Sequence, residues 1–94
     1  MPTVFILFGF VFKFYSNEHE PIHVHILKDG HEAKYIVSSE IDMVFNNGFK
    51  KHELSIIESV LEENKVLIVE KWNEYFPKSN VEQANDTFGT ESMD

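Results

Sequence analysis

The stretch IHVHILKDGHEAKYIV, residues 22–37, decides the fold of this chain. At its centre stands Asp29-Gly30, a pair that suits the two-residue turn of a β-hairpin because both residues tolerate a positive φ. On either side of this pair, the side chains alternate with the period of two that is typical of strands. The stretch therefore predicts two antiparallel strands, residues 22–28 and 31–37, joined by a tight turn.

A two-residue turn also determines which residues face each other across the hairpin. Alternation then sorts the side chains into two faces. The apolar face carries Val24, Ile26, Ala33 and Tyr35. The more polar face carries His23, His25, Leu27, Glu32, Lys34 and Ile36. His23 and His25 thus point the same way, with Lys34 opposite His25 and Glu32 diagonal to it.

The segments that flank this hairpin predict further strands. Residues 3–8 form a continuous apolar run, and residues 10–15 place three phenylalanines on one face, so Phe8-Gly9 is expected to be a second hairpin turn. After the central hairpin, residues 41–45 are a candidate short fifth strand that stops at Asn46-Asn47-Gly48.

From Lys50 to about Phe76 the apolar residues recur at intervals of three, four or seven, which predicts helix. Asn64 interrupts this stripe, so the segment forms either one kinked helix or two shorter helices. Pro77 ends the helical segment. The order of elements predicts an α+β fold, in which an antiparallel sheet of four to five strands is followed by one long or two shorter C-terminal helices packed on one face.

Residues 1–77 are expected to form this single domain. Residues 78–94 are polar and acidic and show no periodic apolar pattern, so we predict a disordered acidic tail. Because this tail contains Phe88 and Met93, it remains open whether it becomes ordered on binding a partner. The expected core consists of Phe5, Leu7, Phe10, Phe12, Phe14, Val24, Ile26, Tyr35, Leu54, Ile57, Leu61, Ile68 and Trp72.

The composition excludes several classes of function. The chain has no cysteine, which rules out disulfides and thiolate chemistry and is typical of a cytoplasmic protein. Its net charge is −8 and all 8 of its basic residues are lysine, which argues against nucleic acid as a partner. The apolar N-terminal run is too short to span a bilayer, so no membrane association is expected.

Three of the five histidines lie in SNEHEPIHVHI, residues 16–26. His19, Glu20, His23 and His25 are the candidate catalytic residues, because histidine and glutamate can act together as general acid and base near neutral pH. Alternatively, His19, His23 and His25 bind a divalent metal ion. We favour a site without a cofactor over this metal site, because the ammonium of Lys34 would repel a cation. The simplest alternative is that His23 and His25 are half-exposed on a polar sheet face.

The same residues also carry a family resemblance. The chain resembles a family of short bacterial proteins catalogued as a domain of unknown function, number four-one-six-zero. Four segments carry this resemblance, namely MPTVF (residues 1–5), FKFYSNEHEPIHVHI (12–26), EAKY (32–35) and EKWNEYF (70–76). The resemblance covers roughly residues 1–76. The pattern N-[DE]-H-E-P-x-H-V-H is matched at Asn17, Glu18, His19, Glu20, Pro21, His23, Val24 and His25. Ile22 stands where members often carry a second proline, and many members are richer in arginine.

The family has no established activity to carry over, but members are often encoded beside another small protein, in an arrangement similar to a toxin–antitoxin pair. The resemblance therefore implies a regulatory protein that binds a protein partner and uses its histidine stretch. Two alternatives stay open, namely a histidine-based or metal-dependent hydrolase or nuclease, and an acidic inhibitor of a nucleic-acid-handling protein. A homo-oligomer is also open.

Overall fold

The computed structural model describes residues 3–15 and 19–77. It confirms the α+β fold, with five strands followed by two helices. The elements are β1 Thr3–Leu7, β2 Phe10–Lys13, β3 His23–Lys28, β4 His31–Val37, β5 Ile41–Asn47, α1 Lys51–Glu63 and α2 Lys65–Tyr75. The predicted tail, residues 78–94, lies outside the described residues, as do residues 1–2 and 16–18.

The sheet is an antiparallel meander in the order β1-β2-β3-β4-β5, so each strand pairs with its neighbours in the chain. Both predicted turns are present. Phe8 and Gly9 have φ values of 55° and 80°, and Asp29 and Gly30 have 53° and 79°. Positive φ at both central residues is what a type I′ hairpin turn requires. Across the second turn, His25 pairs with Lys34 and Leu27 with Glu32, which confirms the predicted register.

The helical segment breaks at Asn64, which confirms the two-helix alternative. The side-chain amide of Asn64 donates to the Val60 carbonyl at 2.8 Å, while its backbone N–H donates to the same carbonyl at 3.1 Å. A side chain that bonds its own backbone in this way competes with regular helical geometry. At the start of α1, the backbone N–H of Lys50 donates to Glu53 Oε1 at 2.9 Å, which satisfies one otherwise unpaired donor.

The core lies between one face of the sheet and the two helices, and most of the expected residues are in it. Phe10, Phe12, Phe14, Val24, Ile26, Tyr35, Ile57, Leu61, Ile68 and Trp72 are all buried as predicted. Leu7 was wrongly assigned to the core, because it lies beside a turn on the edge strand and is 38% exposed. Phe5 and Leu54 are only partly buried. Ala33, Val37, Phe49 and Val60 are core residues that the prediction omitted.

Candidate functional site

His23 and His25 are the first and third residues of β3, and they lie on the face of the sheet opposite Val24 and Ile26. Their exposed fractions are only 8% and 5%. The alternative that these histidines are half-exposed on a polar face is therefore wrong. Buried imidazoles are stable only when hydrogen-bond partners compensate for the loss of water.

The partner of His25 is Glu32, the diagonal neighbour that the register predicted. His25 Nδ1 lies 3.0 Å from Glu32 Oε2, and the Tyr15 hydroxyl donates to that same oxygen at 2.8 Å. Tyr15 also stacks on the His25 ring, with 3.9 Å between the ring centroids and 26° between the planes. We call these three residues the Tyr15–His25–Glu32 cluster. An ionised carboxylate can only accept, so this geometry places a proton on His25 Nδ1.

His23 is held by a different set of contacts. Its Nδ1 donates to the Pro21 carbonyl at 2.7 Å, since a carbonyl oxygen can only accept. Its ring lies 5.6 Å from the His25 ring, edge to face, and 5.3 Å from the ring of Trp72 in α2. Trp72 is 1% exposed and also contacts Phe14 at 5.2 Å between centroids. His23 therefore connects the Tyr15–His25–Glu32 cluster to the apolar core.

The other two candidate residues lie elsewhere. His19 and Glu20 are exposed, in the segment that leads into β3. Among residues 3–15 and 19–77, no three or more histidine, cysteine, aspartate or glutamate side chains come together in a way that could hold a metal ion. The structure thus brings His23 and His25 together without His19. Metal binding by these three residues stays a prediction, as does the catalytic role of the set that includes Glu20.

Lysines lie close to the histidine site on two sides. Lys34 pairs directly with His25 across β3 and β4, and Lys13 pairs with His25 across β2 and β3. The ammonium of Lys13 also lies 5.5 Å from the centroid of the Tyr15 ring, within the range of a cation–π contact. Positive charge on both flanking strands favours an anionic group over a cation near this face.

Tyr15 is a residue of this site that the sequence interpretation missed. Its position follows from the pairing of Lys13 with His25, because residues two apart on a strand share a face. That register could not be derived from a turn rule, since the connection between β2 and β3 spans residues 14–22. The available signal was the alternation of residues 10–15, which already placed Tyr15 opposite the phenylalanine face.

A second candidate surface lies on the edge strand β1. Ile6 is 64% exposed, Phe8 is 67% exposed and Leu7 is partly exposed beside them. We call these three residues the β1 patch. Phe8 adopts a φ of 55°, in the left-handed region that a bulky residue rarely occupies. This conformation costs roughly 1–2 kcal/mol for an L-residue, and the exposed ring of Phe8 gains little burial in return.

No helix within the described residues is long and apolar enough to cross a membrane.

Comparison with known proteins identifies a family and nothing more specific. No curated protein matches the chain, and no solved structure matches it. Residues 9–73, which include β2 to β5, α1 and the histidine site, match the family described as Domain of unknown function (DUF4160). The chain therefore belongs to this family.

Proposed function

We propose that this protein is a small cytoplasmic regulatory protein that binds a protein partner through the β1 patch. The observation that carries the proposal is Phe8, a bulky aromatic residue that is exposed in a strained conformation. Strain that persists without a packing benefit is characteristic of functional positions. Aromatic residues are also enriched at the centres of protein interfaces, where one or two of them supply much of the binding energy.

The position of the β1 patch adds to this support. Within the described residues, β1 pairs only with β2, so its outer backbone groups face away from the sheet. Exposed strand edges are recurrent sites of protein–protein recognition, because a partner strand can hydrogen-bond to them. The genomic arrangement implied by the family resemblance makes the neighbouring gene product the first partner to test, in a two-gene module similar to a toxin–antitoxin pair.

The test combines co-expression with one substitution. Phe8→Asn introduces a residue that tolerates positive φ, so the fold is expected to be as stable or more stable, while the aromatic side chain is lost. We expect the wild-type protein and the neighbouring gene product to co-elute as a complex, and Phe8→Asn to weaken that complex by at least roughly tenfold. Size-exclusion chromatography with light scattering reports the complex, and calorimetry gives the affinities.

The matched control is Val66→Asn, which removes a 73% exposed apolar side chain from α2, away from β1. We expect this variant to bind as the wild type does. The proposal fails if the two proteins elute separately, if the wild-type protein forms only homo-oligomers, or if Phe8→Asn binds as tightly as the wild type.

A second candidate function is histidine-based hydrolysis, and the Tyr15–His25–Glu32 cluster favours it. A carboxylate that holds Nδ1 of a histidine fixes the tautomer and the orientation of the ring, as in the histidines that act as general acid and base. Lys13 and Lys34 on the flanking strands suit an anionic substrate such as a phosphate ester. Nuclease activity remains a prediction that the net charge of −8 argues against, whereas inhibition of a nucleic-acid-handling protein remains a prediction that this charge alone supports.

This second candidate is tested with chromogenic phosphate esters and carboxylic esters, each with and without added divalent metal. If it holds, His25→Ala abolishes turnover, whereas His52→Ala, which removes an exposed histidine of α1, leaves it unchanged. No turnover by the wild-type protein, or equal turnover in the two variants, would exclude a histidine-based hydrolase for these substrates.

A further inference from the structure

The opposite edge of the sheet, strand β5, has a different character from β1. Within the described part of the chain, β5 pairs only with β4. Met43 is 46% exposed and Val44 is 48% exposed. Val44 has no partner position on β4, because Met43 pairs with Tyr35 and Phe45 with Lys34. The irregularity at Val44 leaves paired segments on either side of it.

The sequence of β5 contains few of the features that usually block an edge strand. Natural proteins place lysine, proline or irregularities on such edges to prevent the addition of another strand. The strand reads IDMVFNN, which contains neither lysine nor proline, and its protective features are the irregularity at Val44 and the single charge of Asp42. In residues 3–15 and 19–77, no strand pairs with the outer backbone groups of β5, so these groups can pair with an extended segment.

A groove runs between β5 and α1 on the side of the sheet that faces the helices. It has a volume of about 380 Å³ and is lined by Ile41, Ser55, Glu58, Ser59, Glu62 and Glu63. Its lining combines one apolar side chain, that of Ile41, with two serines and three glutamates. The residues that line the groove include no basic side chain.

The charges of this groove are only partly compensated. The Lys65 ammonium lies 3.3 Å from Glu62 Oε1 and also donates to the Ser39 carbonyl at 2.9 Å. Glu58 Oε2 accepts a hydrogen bond from the Tyr35 hydroxyl at 2.7 Å, which is a neutral donor. Burial and the nearby Glu58 carboxylate raise the pKa of Tyr35, so this hydroxyl keeps its proton. Three carboxylates therefore face one ammonium.

We propose that the β5 edge binds an extended, lysine- or arginine-bearing segment of a partner protein. The segment adds to the sheet as a further strand beside β5, and its basic side chains enter the acidic groove. Backbone pairing gives the affinity and charge complementarity gives the specificity, as in other cases of strand addition. This surface is separate from the β1 patch, so the inference goes beyond the proposed function and does not depend on it.

A second copy of the chain is a poor occupant of the same edge. Each copy carries a net charge of −8, and pairing of two β5 strands would bring two acidic grooves together. Like charges that face each other across an interface oppose association. A basic segment removes this repulsion, because it neutralises Glu58, Glu62 and Glu63.

The experiment uses the full chain and a synthetic peptide of alternating valine and lysine, with a matched peptide that carries glutamate in place of lysine. Titration followed by ¹H–¹⁵N NMR reports both affinity and location. We expect the lysine peptide to shift the amide signals of residues 41–47, to bind more weakly as salt increases, and to bind far better than the glutamate peptide.

Substitutions distinguish the effect of the groove carboxylates on peptide binding from the effect of the overall negative charge of the protein. Glu62→Lys reverses a charge in the groove and is expected to weaken binding of the lysine peptide by roughly tenfold. Glu70→Lys makes the same change on α2, outside the groove, and is expected to leave the affinity within roughly twofold of the wild type. Met43→Lys places a charge on the edge itself and should also weaken binding.

Four outcomes would overturn the inference: equal binding of the lysine and glutamate peptides, no binding of the lysine peptide, equal weakening by Glu62→Lys and Glu70→Lys, or shifts confined to residues 3–7. Concentration-dependent shifts of residues 41–47 without peptide would instead assign the edge to self-association. Because none of these outcomes involves the neighbouring gene product, this inference and the proposed function can fail separately.

Discussion

Both faces of strand β3 are buried, but different interactions stabilise the buried side chains on each face. On the helix face, Val24 and Ile26 are 0% exposed and belong to a cluster of apolar residues from the sheet and both helices. On the opposite face, His23 and His25 are almost as buried, yet specific polar partners compensate for their burial. The helix face is stabilised by the area it removes from water, and the histidine face depends on matched donors and acceptors.

The largest expected effect tests the helix face. Ile26→Ala should lower the free energy of unfolding by about 2–5 kcal/mol, because it leaves a cavity in a packed core. Ile6→Ala is the matched control, since the same atoms are removed from a side chain that is 64% exposed. Its cost should stay within about 0.5 kcal/mol. Urea unfolding followed by circular dichroism measures both, and equal costs would mean that Ile6 is covered in solution.

The next effect concerns His31, which lies on the helix face together with Ala33 and Tyr35. Its ring contacts Phe49 at 5.7 Å between centroids, and a Cβ on Gly48 would clash with its Nδ1. Gly48→Ala should therefore cost about 2–3 kcal/mol, from its φ of 107° and from displacement of His31.

Gly30→Ala is the control for Gly48→Ala, because Gly30 also has a positive φ but an added Cβ would meet nothing within 4 Å. It should cost only about 1 kcal/mol. The difference between these two variants in thermal or urea unfolding isolates the packing of His31. A Gly48→Ala variant no less stable than Gly30→Ala would show that His31 moves aside freely.

The histidine face is tested by Glu32→Ala. This change removes the acceptor shared by His25 and Tyr15, and it should cost about 1–3 kcal/mol because two polar groups lose their partner. Glu74→Ala, at an exposed site whose carboxylate lies 3.8 Å from Lys71, should cost less than about 0.5 kcal/mol. If both variants unfold at the same urea concentration, the histidine face is not stabilised by its polar partners, and the contrast with the helix face disappears.

The smallest effect concerns Tyr35, whose hydroxyl is a polar group on the helix face. Tyr35→Phe removes its hydrogen bond to Glu58 and should cost about 1 kcal/mol, because the exposed Glu58 carboxylate regains water. The raised pKa of Tyr35 adds a dependence on pH. A raised folded-state pKa gives stability that is complete below the unfolded value of about 10 and is lost as pH rises above it.

The corresponding measurement is urea unfolding of the wild type and Tyr35→Phe between about pH 8 and pH 11, a window that brackets the unfolded tyrosine pKa. The wild type should lose stability more steeply above about pH 10 than the variant does, since only the wild type has this hydroxyl to deprotonate on unfolding. Parallel curves would show that Tyr35 ionises equally in the folded and unfolded states.

The sequence predicts the register of the central hairpin and the break between the two helices. The Asp29-Gly30 turn determines the register of β3 and β4, and from it follow the shared face of His23 and His25 and the diagonal position of Glu32. The break at Asn64 was also visible as an interruption of the apolar stripe. These features are local, so turn chemistry and periodicity are enough to predict them.

The burial of the histidines could not be predicted, because it depends on contacts across longer distances in the chain. Tyr15 reaches His25 through the pairing of β2 with β3, and Trp72 reaches His23 from the second helix. No turn rule determines either contact, since each depends on how separate elements pack together. The same limitation explains Leu7, whose apolar character gave no sign that its place on the edge strand would leave it exposed.

The order of elements along the chain also has a consequence for synthesis on the ribosome. Every strand pairs with the strand before or after it, so the sheet can form as β1 to β5 emerge in turn. The helices that cover its apolar face, and with them Trp72, are made after the sheet. Phe14, whose ring packs on Trp72, therefore lacks this contact until about residue 72 has left the exit tunnel. During that interval the nascent chain exposes an apolar sheet surface, which is when it most needs a chaperone.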